Sequence, residues 1–271
     1  MKTTKINKKY TILISKIKSI KIQGAENIAK AGIQAYLLNP TKESQKEILS
    51  LRSTEPLLQN SIKTISLSKN KEKIATTILN EIRDSHNHIS KHAFKLIKDD
   101  MKIYTHCHSS TVIDILKYAK KHKKNFTVYT TEVEPLRQGR MTARELSKLG
   151  INVIIGPDLA AEELLKQCDL FLFGADAFTK TAVYNKIGTH TLCKIAKNYN
   201  VPRFSCGISL KITNKVKTEQ RKGKEVWDER NKRIRPVYPA FDKTSYTLLT
   251  GIISEFGIKK PKEFTKLTKQ K

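Results

Sequence analysis

Through residues 1–98 the apolar positions recur every three or four residues, which is the spacing of one helix face. ISKIKSIKIQGAENIAKAGIQAYLL keeps this spacing, with Gly24 as the break between two helical stretches. NPTKESQKEILSLR opens on Asn-Pro and offers Thr41 as a cap, and KEKIATTILNEIRDSHNHISKHAFKLIK repeats the pattern over several turns. Runs of β type are scarce here, so residues 1–98 read as an N-terminal helical domain.

The texture changes at Asp99. KIYTHC, FTVYTTE, INVIIGPD, DLFLFGAD and VPRFSCGI read as strands. STVIDILKYAKKHKK, RMTARELSKLG, LAAEELLKQC and NKIGTHTLCKIAKNYN read as the helices between them. Such β–α alternation with short connections predicts an α/β domain, residues 99–271, with a mostly parallel sheet covered by helices. Ligands bind such sheets at the carboxyl ends of the strands. Cys107, Thr131 with Glu132, Asp158 and Asp176 end successive strands and are expected along that edge. The tail IKKPKEFTKLTKQK reads as a frayed, solvated end.

Composition narrows the class. The chain has 271 residues, 38% hydrophobic and 28% charged, enough apolar content for a sizeable core. No apolar run reaches the roughly 18 residues that span a bilayer. The start, MKTTKINKKYTILISKIKSIKIQ, is interrupted by lysines and reads as an amphipathic helix rather than a signal peptide. A cytoplasmic protein without membrane contact is expected. The net charge of +27 attracts polyanions, but it is spread along the chain with few aromatics beside it. That predicts nonspecific attraction to RNA and no base-reading signature.

Chemistry centres on YTHCHSS, residues 104–110. Of the 4 cysteines, Cys168, Cys193 and Cys206 read as reduced, buried thiols. Cys107 stands between His106 and His108, yet neighbours on a strand point to opposite faces, and no second ligand pair accompanies them. No metal is expected. Three readings of Cys107 remain: a nucleophile or a proton-transfer thiol, both favoured by a pKa lowered beside a helix N-terminus, or a thiol packed under the helix. Asp176, in FGADAF, follows an apolar strand and serves catalysis or a cap. NKIGT, residues 185–189, reads as a helix start where Lys186 and free amides suit phosphate, or as an ordinary helix start.

THCHSS, TTEVEPLRQGRMTARELSKLGI, FGADAF, NKIGT and YPAFDKT occur in order and with fitting spacing. Together they resemble the family joining ribose-1,5-bisphosphate isomerase, methylthioribose-1-phosphate isomerase and the alpha, beta and delta subunits of translation initiation factor 2B. THCHS and PAFD are most similar to the archaeal ribose-bisphosphate isomerases. The resemblance is specific from about Lys102 to Lys211 and returns near Pro239. It implies a helical domain followed by a Rossmann-like domain, assembled as a homodimer or higher oligomer, with no cofactor. It implies that Cys107 moves a proton between sugar carbons and that Asp176 handles the hydroxyl proton. It further implies substrate binding by Gln23, Gly24, Gln138, Gly139, Asn185, Lys186 and Lys211. The ligand would be a phosphorylated sugar or nucleotide, and a translation-factor partner is the other expectation.

This sequence departs from the family where the family carries arginine, at Gln23, Glu55 and Glu134. An arginine fork binds phosphate bidentately. A unit charge pair near a surface is worth roughly 1 to 4 kcal/mol. Reversing the sign at Glu55 and Glu134 and neutralising position 23 predicts a loss on the order of 4 to 8 kcal/mol. That corresponds to about three to six powers of ten in affinity. Lys16, Lys18, Lys21 and Arg137 are the candidates to compensate. The sequence therefore supports a factor-2B-like protein with reduced or altered phosphosugar binding. The alternative is an active aldose–ketose isomerase making ribulose-1,5-bisphosphate through Cys107 and Asp176.

Overall fold

The computed structural model describes residues 8–19, 21–52, 54–216 and 220–267. Helices α1 (Lys8–Lys18), α2 (Ala25–Leu38), α3 (Lys42–Leu51), α4 (Pro56–Leu67) and α5 (Lys71–Phe94) come first. Their boundaries obey local chemistry. Gly24 takes a φ of 84°, which a side chain would disfavour, and turns the chain into α2. Thr41 accepts from the Ser44 amide at 3.1 Å to cap α3, and Pro56 opens α4 at the position where its missing N–H does no harm. Residues 1–7 of the expected N-terminal helix lie outside the described residues.

The α/β part begins with β1 (Met101–His106), α6 (Ser110–Lys121), β2 (Phe126–Thr131), α7 (Gln138–Lys148), β3 (Asn152–Gly156), α8 (Ala161–Leu165) and β4 (Leu170–Gly174). Next come β5 (Ala177–Phe178), β6 (Ala182–Lys186), α9 (Thr189–Asn198), β7 (Arg203–Cys206), β8 (Gln220–Arg221) and β9 (Tyr238–Pro239). The last elements are β10 (Phe241–Ser245), β11 (Gly251–Ser254), β12 (Gly257–Lys259) and α10 (Pro261–Leu267).

The main sheet has 7 strands in the order β12-β11-β7-β4-β1-β2-β3, parallel except for β12. This is the expected Rossmann-like, mostly parallel sheet. Strand order runs outward from β1 to β2 and β3, then restarts at β4 on the other side of β1. The crevice between the ends of β1 and β4 is therefore the topological switch point, where the connections after the two strands diverge and leave room for a ligand. β4 is buried along its whole length, which accounts for its unbroken apolar sequence. One apolar core runs from Tyr10, Ile17 and Ile33 in the first helices to Ile103, Leu116 and Ile253 around the sheet.

Two expectations are corrected. NKIGT does not start a helix at Asn185: β10 pairs antiparallel with β6 as far as Lys186, and α9 begins at Thr189. Gly188, at φ 100°, and the Asp242 carboxylate, which accepts from the Gly188 and His190 amides at 2.9 and 3.0 Å, make the turn between them. The basic tail is not all solvated. α10 buries Phe264 edge-on against Phe178, with ring centroids 5.0 Å apart. Residues 268–271 of that tail lie outside the described residues.

Candidate active site

A cleft of about 750 Å³, counting its open mouth, lies at the switch point. The N-terminal ends of α2, α4, α6 and α7 border it through Gly24 and Ala25, Glu55, Ser109 and Ser110, and Gln138. Converging helix N-termini favour negative charge. Arg52, Lys186, Lys211 and Arg221 also line it, as do two carboxylates, Glu55 and Asp176.

Cys107 sits immediately after β1 with φ 69°, an uncommon conformation for a residue with a side chain. α7 holds it there. Thr142 donates its hydroxyl to the Cys107 carbonyl at 2.9 Å, and the thiol donates to Gln138 Oε1 at 3.3 Å. Gln138 Nε2 in turn donates to Gln23 Oε1 at 3.3 Å, joining the helical part to the sheet across the cleft. On the opposite wall Lys211 donates to the Ala175 carbonyl at 2.6 Å, one residue before Asp176. Asn60 of α4 donates to the Leu210 and Ile212 carbonyls at 2.8 and 3.0 Å and so braces the segment carrying Lys211. Asn185 donates to Thr189 at 3.0 Å, and Lys186 donates to the Tyr238 hydroxyl at 2.9 Å.

Burial sets the protonation states. It pushes the Cys107 thiol up to about 11; Lys186 pulls it down and Asp176 pushes it further up. The lowered thiol pKa expected from the strand-to-helix position is thus corrected: desolvation outweighs the helix end. Burial also pushes Asp176 above the ordinary carboxylate range, with Lys211 and Lys186 opposing. His106 is enclosed and pushed down to about 4, so it is neutral, and its Nε2 donates to the Ile187 carbonyl at 2.9 Å. His108 faces Thr142 instead, at 3.0 Å, so the two histidines do not converge.

The cleft gathers Cys107, Asp176, Gln23, Gly24, Gln138, Asn185, Lys186 and Lys211. Gly139 does not line it. An added Cβ there would lie 1.7 Å from the Thr131 carbonyl oxygen, so this glycine lets α7 press against β2. The family departures divide. Glu134 is on the outside, paired with Arg137 at 2.8 Å, and does not line the cleft. Glu55 lines it and is buried, as is Arg52. Arg52, Arg221 and Tyr238 were not foreseen. Arg221 lies over the Tyr238 ring at 6.0 Å and Lys186 over the same ring at 5.4 Å. An arginine and a tyrosine in a charged, irregular stretch carry no local signal of such a meeting.

The chain is 31% identical to ribose 1,5-bisphosphate isomerase of Methanocaldococcus jannaschii, over 91% of this chain and 90% of that protein. It is 29% identical to methylthioribose-1-phosphate isomerase of Heliobacterium modesticaldum, over 93% and 88% of the two chains. Its fold matches the crystal structure of translation initiation factor eIF-2B from Pyrococcus horikoshii with a TM-score of 0.87 and 26% identity, covering 96% of this chain and 99% of that one. The model of the Initiation factor 2 subunit family matches residues 4–261, and the chain belongs to that family.

Proposed function

We propose that the protein is an aldose–ketose isomerase of a phosphorylated pentose, ribose-1,5-bisphosphate being the first candidate. The observation that carries this reading is the meeting of Cys107 and Asp176, from the ends of β1 and β4, in one cationic cleft. Burial raises the pKa of both groups, while Lys186 favours the charged form of each and Lys211 that of Asp176. In this reading a proton passes between thiol–carboxylate and thiolate–acid forms of the pair during turnover.

From the second form the chemistry balances. Asp176 gives its proton to the ring oxygen as the C1–O bond opens. The Cys107 thiolate takes the proton from C2, and the electrons of that C–H bond form the C1–C2 double bond. Cys107 then returns the proton to C1 while Asp176 removes the proton on O2, leaving a C2 ketone and the original pair. Lys186, Lys211 and Arg52 are suited to hold phosphate oxygens, with Asn185, Gln23 and Gln138 at the sugar, whereas the Arg221 fork is engaged by the Glu225 carboxylate at 2.7 and 3.1 Å. We place the helical domain at residues 1–98 and the Rossmann-like domain at 99–271, with the cleft closed by both, and expect a homo-oligomer.

A second reading, a factor-2B-like protein with altered phosphosugar binding and a translation-factor partner, is favoured by one observation. Glu55 lies inside the cleft, where its charge opposes a phosphate. Calorimetric titration with ribose-1,5-bisphosphate and with methylthioribose-1-phosphate tests the proposal. Saturable heat with at least one, lost in Lys186→Gln, supports the isomerase; no heat with either overturns it.

A further inference from the structure

Asp158 stands outside the cleft, beyond the end of β3, yet it grips the turn that leads into it. Its Oδ1 accepts from the Val133 amide and its Oδ2 from the Glu134 amide, both at 2.8 Å. These amides open the turn between β2 and α7. Val133 has φ 60°, a left-handed conformation that is a genuine outlier for a β-branched residue, and Arg137 has φ 52°. A strained conformation persists only where its surroundings over-determine it. The ends of the turn are pinned by backbone bonds, Glu132 N–H to the Gly156 carbonyl at 3.1 Å and Gly139 N–H to the Glu132 carbonyl at 3.0 Å. Between those pins the Asp158 carboxylate supplies paired, charge-assisted bonds, the stronger kind.

The turn carries its far end into the site. Leu136 and Gln138 line the cleft, and Gln138 joins the Cys107 thiol to Gln23. We propose that Asp158 is a positioning residue: it clamps the Val133–Glu134 turn so that Gln138 covers and orients the Cys107 thiol. Its consequence for catalysis rests on the isomerase reading, in which that thiol carries the proton. Its test does not.

The test is the rate at which iodoacetamide alkylates Cys107 at pH 8, read by mass spectrometry of the peptide so that the other cysteines do not contribute. Asp158→Ala releases the turn and speeds alkylation on the order of tenfold. Asp158→Asn, which keeps one acceptor oxygen, gives a smaller increase. Gln138→Ala also speeds it. The double variant Asp158→Ala/Gln138→Ala reacts within about twofold of Gln138→Ala alone, because the clamp acts through Gln138. An unchanged rate in Asp158→Ala, or effects that multiply in the double variant, overturns the proposal. Should Asp158→Ala fail to fold, the same cycle is run with Asp158→Asn and judged by the same criterion. Alkylation needs no turnover, so failure of the isomerase reading leaves this result interpretable.

Discussion

Two charges acting on Cys107 have opposite signs, and removing each in turn gives opposite outcomes. With the thiol pushed up to about 11, about one molecule in a thousand carries the thiolate at pH 8. A thiol at the ordinary 9.0 would be about one-tenth ionised there, so Cys107 should alkylate roughly a hundredfold more slowly than a small exposed thiol. Lys186 lowers the Cys107 pKa and Asp176 raises it. A nearby charge moves a pKa by roughly one to three units. At the low end, Lys186→Gln slows alkylation at pH 8 about tenfold and Asp176→Asn speeds it about tenfold. The assay is the initial rate of labelling at Cys107 across pH 7–10, where the rate climbs about tenfold per pH unit toward a midpoint near 11. Sterics alone predict otherwise for Lys186→Gln, since a shorter side chain opens the cleft and speeds entry of the reagent. Acceleration in both variants, or a midpoint near 9.0 in the unmodified protein, would refute the electrostatic reasoning.

Single positions give three more expected outcomes. Gly139→Ala should destabilise the protein by about 3 kcal/mol or more, seen as a lower urea midpoint, because its methyl would meet the Thr131 carbonyl at 1.7 Å; an unchanged midpoint contradicts the packing. Burial raises Asp242 from 3.8 to about 6, so its stabilising contribution is full below 3.8 and is lost as pH rises through 6. Between pH 4 and 7 the unmodified protein should lose about 2 kcal/mol of unfolding free energy relative to Asp242→Asn, from roughly 1.36 kcal/mol per pKa unit; parallel stability curves contradict it. Glu55→Gln removes a carboxylate from the cleft wall and should tighten phosphosugar binding about tenfold by calorimetry; weaker or unchanged binding would assign Glu55 to the support of Arg52 or of the sugar.

Periodicity made the helices and the parallel strands legible, because burial on one face or two leaves a repeating mark. Cys107 and Asp176 were placed at strand ends by the same pattern, and the strand order then explains why they meet. The β5-β6-β10 sheet was not legible: β5 is 2 residues long, and β6 runs directly into a glycine turn that looks like a helix start. The thiol pKa went astray because the helix N-terminus is visible in sequence while the burial that outweighs it is not. The resemblance counted Glu55 and Glu134 as equal losses. Glu134 turns out to Arg137 through three residues of local chain, whereas Glu55 faces the cleft, a distinction set by tertiary placement.

The most direct test of the central claim offers ribose-1,5-bisphosphate to the purified protein and monitors ribulose-1,5-bisphosphate. Turnover that disappears in Cys107→Ser, with the fold intact, is the predicted result. No turnover by the unmodified protein, or turnover that survives in Cys107→Ser, would contradict it.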